Sequence, residues 1–112
     1  MAKFRFIQWL VEWLLSQDNF QFEWDQGNNT KSHQKHKVTT DEIEEVFFMS
    51  EAIRALGEQL SPLMPEPRFG ILGITKNGRH MFVCFTLRGA GLRIISAREM
   101  SQKERKLYAE LC

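Results

Sequence analysis

Two turn signals constrain this chain more than anything else in it. Asn77-Gly78 stands between two apolar runs, 69–74 and 81–87, and Asn-Gly in that setting is a strong hairpin signal. Gly89-Ala90-Gly91 stands between the second run and a third, 92–97, and reads as a three-residue hairpin loop. A two-residue loop at Asn77-Gly78 pairs Ile74 with Met81, Leu72 with Val83 and Arg68 with Leu87. The second hairpin pairs Leu87 with Arg93, Phe85 with Ile95 and Val83 with Ala97. Leu72, Ile74, Met81, Val83, Phe85 and Ile95 then share one face, which is expected to be the core face.

The remaining elements read as helices around these strands. Thr39-x-x-Glu42 is a capping box. Ile43, Val46, Phe47, Ile53, Leu56 and Leu60 follow it at helical spacing, so a helix is expected through Leu60, weakened at its end by Gly57. Pro62, Pro65 and Pro67 mark a loop into the sheet. Ser101-x-x-Glu104 is a second capping box and opens a helix with Leu107 and Leu111 on one side. Phe20, Phe22 and Trp24 alternate with polar residues and suggest a short half-buried strand, with Gly27-Asn28-Asn29 as a turn after it. The sum is an α+β domain with helices packed on an antiparallel meander sheet. Its expected organisation is an N-terminal helical extension, 1–19, and a main unit, 20–112.

The N-terminal apolar block, from Phe4 to Leu15, is too short to span a bilayer, which takes roughly 20 residues. Glu12 interrupts it and no small-residue cleavage site follows. A helix lying on a membrane surface stays open, beside a helix docked on the domain or on a second copy of the chain. Cys84 and Cys112 make neither a disulfide framework nor zinc-type spacing, so a cytoplasmic setting is expected and no metal or cofactor is implied.

Charge is unevenly divided under a near-neutral total. Residues 1–66 hold 6 Lys/Arg and 11 Asp/Glu, and residues 67–112 hold 9 and 3. Arg68, Arg79, Arg88, Arg93 and Arg98 lie inside or beside the expected strands. An arginine on a sheet is a fixed cation with a planar donor fork suited to phosphate. The register sets Arg68 and Arg93 on one face, flanking Leu87, with Cα atoms roughly 10 Å apart. Two guanidinium groups at that separation can converge on one phosphodiester, or each can pair with acids of the front half. Arg88 sits on the adjacent shoulder, and Arg98 falls on the opposite face.

Two further groups stand out. Thr30–Lys37 contains no apolar residue, and a helix there would bring His33 and His36 to one side beside Lys35. Histidine suits proton transfer near neutrality, though a solvated polar helix explains the same residues. A two-histidine metal site lacks a third ligand nearby. Tyr108, four residues after Glu104 on one helical face, could stack on a base or sit at the rim of the core. No phosphate loop, dinucleotide fingerprint or nucleophile elbow is present.

These residues also fall into a recognisable order. Phe22-Glu23-Trp24-Asp25, Asn29, Lys35-His36-x-Val38 and Glu45-Val46-Phe47 resemble the front half of the BrnT family. Arg68, Leu72-Gly73, Phe85-Thr86-x-Arg88, the run Arg93 to Arg98, Glu104-Arg105 and Tyr108 resemble its back half. The chain departs from the pattern at Lys37, where the family has glycine, and at Phe85, where it has tyrosine. A longer helical stretch through Leu60 and the N-terminal helix, 3–15, are further departures.

The resemblance implies a RelE-like fold and the toxin of a type II toxin–antitoxin pair, an endoribonuclease that blocks translation by cutting RNA without a metal. It implies as partner a BrnA-like antitoxin carrying a ribbon-helix-helix DNA-binding domain. Under it, His36, Arg68 and Arg93 are the expected catalytic residues. Lys35, Arg88, Arg98 and Tyr108 are the expected RNA contacts. The alternative is a non-catalytic relative that binds RNA or protein. The added N-terminal helix could cover a sheet face, form a homodimer contact or bind the antitoxin.

Overall fold

Five strands form one antiparallel meander in sequence order: β1 (Lys3–Arg5), β2 (Arg54–Ser61), β3 (Phe69–Ile74), β4 (His80–Arg88) and β5 (Gly91–Glu99). Among the described residues they are accompanied by the helices α1 (Gln8–Ser16), α2 (Thr40–Phe48) and α3 (Gln102–Leu111), with a 3₁₀ turn at Ser50–Ala52. This computed structural model describes residues 3–17, 19–28, 35–61, 65–89 and 91–111. The expected His33, Asn29, Ala90 and Cys112 lie outside those residues. The α+β class is as expected, and both capping boxes form as read. Thr39 accepts from the Glu42 amide, and Ser101 accepts from the Glu104 amide, with the glutamates bonding back.

Two elements differ from the expectation. The helix opened by Thr39 stops at Phe48, and the stretch expected to continue it is the strand β2. Gly57 is the physical reason. It takes φ 116°, a conformation foreign to L residues in a helix, and stands at a bulge of β2 between Ala55 and Gly57, which pair with Ile71 and Gly70. A side chain there would collide with the Arg5 carbonyl of β1. At the N-terminus, residues 3–5 are a strand rather than the start of a helix, and β1 pairs Phe4 with Gln59. The Phe20–Trp24 stretch is reduced to a single parallel bridge, Phe22 to Leu92, on the edge of β5.

The β3–β4 hairpin shifts the register by one residue. Its loop has three residues, Lys76-Asn77-Gly78: the Thr75 amide donates to the Arg79 carbonyl and the Gly78 amide to the Thr75 carbonyl. Gly78 carries the positive φ of 80° that closes such a loop. Pairs therefore run Ile74–His80, Leu72–Phe82 and Phe69–Phe85. In the β4–β5 hairpin Val83 does pair with Ala97, but a bulge after Cys84 then sets Phe85 against Ile94, Thr86 against Arg93 and Arg88 against Gly91.

A one-residue slip exchanges faces, and here both faces are apolar. One carries Ile71, Met81, Val83, Phe85, Leu92, Ile94 and Ala97, buried against Ile43, Val46 and Phe47 of α2 and Leu10 and Leu14 of α1. The other carries Leu72, Phe82 and Cys84, covered at one end by Tyr108 of α3 and by Met100, with Phe4, Ile74 and Ile95 packed around them. Leu72, Ile74 and Ile95 thus leave the expected core face for the opposite one. Leu10 and Leu14 are fully buried in the same core as the sheet, and none of the described helices is long and apolar enough to cross a membrane.

Candidate nucleic-acid interface

The face covered by α3 carries the arginines. On β4, residues alternate, so Phe82, Cys84, Thr86 and Arg88 point to one side. Arg93 is directly opposite Thr86 on β5. One residue beyond the Phe69–Phe85 pair, the register sets Arg68 beside Thr86 on β3. The expected row of two arginines flanking a central strand therefore forms, around Thr86 instead of Leu87, again with roughly 10 Å between the outer backbones. Arg98 joins this face, contrary to the expectation: it pairs with Phe82, and its guanidinium lies 4.4 Å from the centre of that ring.

Carboxylates from two loops meet the arginines. Arg93 forks onto Asp25 (2.6 and 3.0 Å) and reaches Glu23 Oε1 at 3.2 Å. Arg88 forks onto Glu66 (3.0 and 3.1 Å) and donates to the same Glu23 oxygen at 2.9 Å. The hydrogen bonds from Arg93 and the Gly27 amide hold the Asp25 carboxyl below the usual carboxylate range. Glu66 is lowered too, by its bonds from Arg88 and by the added fields of Arg68 and Arg93. Among the described residues Glu66 is bonded by Arg88, and Arg68 and Arg93 act on it through their fields. The Arg68 carbonyl accepts from the Gln59 amide (2.7 Å), while its guanidinium makes no hydrogen bond or ion pair among the described residues.

The loop bearing Glu23 and Asp25 is built into the sheet edge. The Glu23 amide donates to the Leu92 carbonyl and the Leu92 amide to Gln21. Asn28, 6% exposed, donates to the carbonyls of Glu23 and Ile94 while its own oxygen accepts from the Asp25 amide. Glu66, by contrast, lies on the loop before β3, which Thr86 secures through its hydroxyl on the Pro67 carbonyl (2.6 Å).

Beside the arginine row a groove of about 350 Å³ runs between the sheet and α3. Phe4, Phe82, Cys84, Ile95 and Leu107 line its apolar part, and Gln59, Arg68, Ser96, Arg98, Lys103 and Glu104 its polar part. Glu104, the one acid among them, is already held by both nitrogens of Arg98 (2.7 and 2.9 Å). The groove is therefore cationic at its rim and aromatic at its floor.

The family model described as the ribonuclease toxin BrnT of type II toxin–antitoxin systems matches residues 24–104. This chain belongs to the BrnT family. No curated protein matches it as a relative.

The BrnT-type motif residues are divided between the two ends of the sheet. Arg68, Arg88 and Arg93 lie at one end of one face, and Arg98 shares that face but stands opposite Phe82, toward the β3–β4 turn. His36 and Lys35 do not join them. Both are exposed, and the His36 carbonyl accepts from Arg79 Nη2 beside the β3–β4 turn. From His80 at that turn to Arg88 at its far end, β4 runs roughly 26 Å. Tyr108 is buried, its hydroxyl donating to the Ala52 carbonyl and its ring meeting His80 edge-on at 5.8 Å. It serves the core beneath α3.

Lys37, which stands where the BrnT pattern has glycine, takes φ 56°. The left-handed conformation is kept although the residue that favours it is absent. Sequence reasoning missed Phe4, Gln59, Glu66 and Lys103. Glu23 and Asp25 entered it only through the family motif. The charge asymmetry had already offered acids of the front half as counter-charges for the arginines, but nothing local in the sequence said which acids would meet which arginine.

Proposed function

We propose that this chain is the toxin of a type II toxin–antitoxin pair, a metal-independent endoribonuclease that cuts RNA in the cytoplasm and so blocks translation. Its antitoxin is a BrnA-like protein with a ribbon-helix-helix DNA-binding domain, and its fold is RelE-like. The observation that supports this reading is that Arg68, Arg88 and Arg93 share one sheet face, where Arg88 and Arg93 meet on one Glu23 oxygen and Arg88 also forks onto the exposed Glu66 carboxylate. A phosphodiester carries the same charge and a similar oxygen geometry as that carboxylate. In the complex with RNA, the phosphate takes the place of Glu66.

The chemistry such a site supports uses the substrate's own nucleophile. The 2′-oxygen attacks the adjacent phosphorus and the bond from phosphorus to the 5′-oxygen breaks, leaving a 2′,3′-cyclic phosphate and a 5′-hydroxyl. The guanidinium groups stabilise the charge gathering on the phosphoryl oxygens. Glu23 is assigned the proton of the 2′-hydroxyl. One of its oxygens is fixed by Arg88 and Arg93, and the other takes no hydrogen bond among the described residues. The departing oxygen takes its proton from water in the open groove. His36 is left out of this assignment because of its distance along the sheet.

Purified protein is expected to cut RNA in the presence of a chelator, and Arg93→Ala to lower the rate by about 10²-fold or more. Intact RNA across substrates and translating extracts would remove the enzyme reading. Normal cutting by the alanine variant would remove Arg93 from the site.

A second reading rests on how fully Arg88 and Arg93 are engaged by Glu23, Asp25 and Glu66. Under it the face is a locked, non-catalytic binding surface. Expression in a bacterium separates the two, since the toxin arrests growth unless the antitoxin is supplied.

A further inference from the structure

The groove next to the arginine row contains an aromatic residue that the family does not account for. Phe4 belongs to β1, outside the matched residues 24–104. Its ring lies over Gly70, where a Cβ would stand only 2.6 Å from the ring edge, and meets Phe82 edge-on at 5.9 Å. Phe4 is only partly buried, and it lines the groove together with Arg68, Arg98 and Lys103. An aromatic ring, an arginine held over a second ring and further cations form the combination that receives an unstacked base and its phosphate.

We propose that this groove is a nucleobase subsite, in which the base adjoining the phosphate on Arg68 stacks against Phe4, with Arg98 and Lys103 at its border. The inference rests on the ribonuclease reading and deepens it. The volume suits a single nucleotide and not a folded segment of protein. The charge also selects the ligand, because three cations face one acid and that acid is already held by Arg98. The added strand thus does more than extend the sheet: it carries one wall of the substrate site.

The test uses the full chain and an RNA oligomer with 2′-O-methyl groups, which binds but cannot be cut. A matched series has one abasic position moved along the strand. Phe4→Ala is expected to weaken binding of the intact oligomer roughly ten-fold, within the range of base–aromatic stacking, with an unchanged salt dependence because no phosphate contact is lost. At one abasic position the wild type and the variant should bind equally. Phe4→Leu keeps apolar cover over Gly70 without a π face and should show the same loss, which separates stacking from misfolding. Unchanged affinity in both variants, or an equal loss at every abasic position, overturns the subsite. If the wild type binds the oligomer and cuts the unmethylated strand, and Arg68→Ala abolishes binding while Phe4→Ala alters neither, the ribonuclease reading stands and the subsite falls. If the wild type binds no RNA, both fall.

Discussion

Arg79 and Arg93 are both strand-end arginines held by two carboxylates, yet the two ends of the sheet use them differently. At the β3–β4 end, Arg79 bonds Glu42 and Glu99 and also donates to the backbone carbonyls of Lys37 and His36. Its partners belong to a helix cap, a strand and the backbone just ahead of α2, and Glu42 is simultaneously part of the α2 capping box. At the other end, Arg88 and Arg93 bond only carboxylate side chains among the described residues, and Asp25 and Glu66 are about half exposed (53% and 48%). The first cluster includes backbone that no ligand can displace. The second is closed by side chains that an anion can replace. An ion pair alone does not distinguish scaffold from site; the identity and mobility of the counter-charge do.

Three variants break or sharpen that comparison. Glu23→Gln should have the largest effect. If Glu23 takes the 2′-hydroxyl proton, RNA cutting falls by about 10²-fold or more, while affinity for an uncuttable oligomer stays within a few-fold. Equal cutting rates would transfer the proton step elsewhere.

Arg79→Ala should act on stability and not on the per-molecule cutting rate. Loss of a charged hydrogen-bond network on a side chain only 24% exposed costs about 2 kcal/mol, readable by urea denaturation. Acid should reveal the same contact. Burial pushes the Glu42 carboxyl up, but the Thr39 amide and Arg79 outweigh it and the net shift is downward. A lowered folded value means that its contribution is complete above the unfolded pKa, near about 4.3. The contribution disappears as pH falls through the lower folded value. In Arg79→Ala that part of the acid loss should shrink. An acid profile identical to the wild type would mean that the pair contributes nothing.

Lys37→Gly should have the smallest effect. Relief of the left-handed strain, of order 1 kcal/mol, is partly offset by the greater freedom of glycine in the unfolded chain, leaving about 0.5 kcal/mol of stabilisation. It should raise the melting temperature by a few degrees and leave cutting unchanged. A loss of stability would show that the lysine side chain makes up for its own backbone strain.

Much of the site was legible because arginines on β-strands announce their face once register is known. The error lay in the register. Asn77-Gly78 was read as the whole loop, whereas Lys76 is part of it too, so Leu72 and Val83 exchanged faces relative to one another. Alternation could not correct the slip, because the sheet is apolar on both sides. The arginine row survived since the compensating bulge after Cys84 moved Arg93 by one as well, from Leu87 to Thr86.

Local signals in the chain were sufficient for the two hairpins, both capping boxes, the α+β class and the placing of basic residues on strands. Each depends on a few neighbouring residues and their intrinsic geometry. Only the folded sheet decided that 54–61 is a strand, that Phe4 enters the groove and that His36 lies beside Arg79, at the other end of the sheet from Arg88 and Arg93. Those outcomes depend on backbone partners distant in sequence: β2 exists because β1 and β3 both pair with it, and Gly57 makes the approach of Arg5 sterically open.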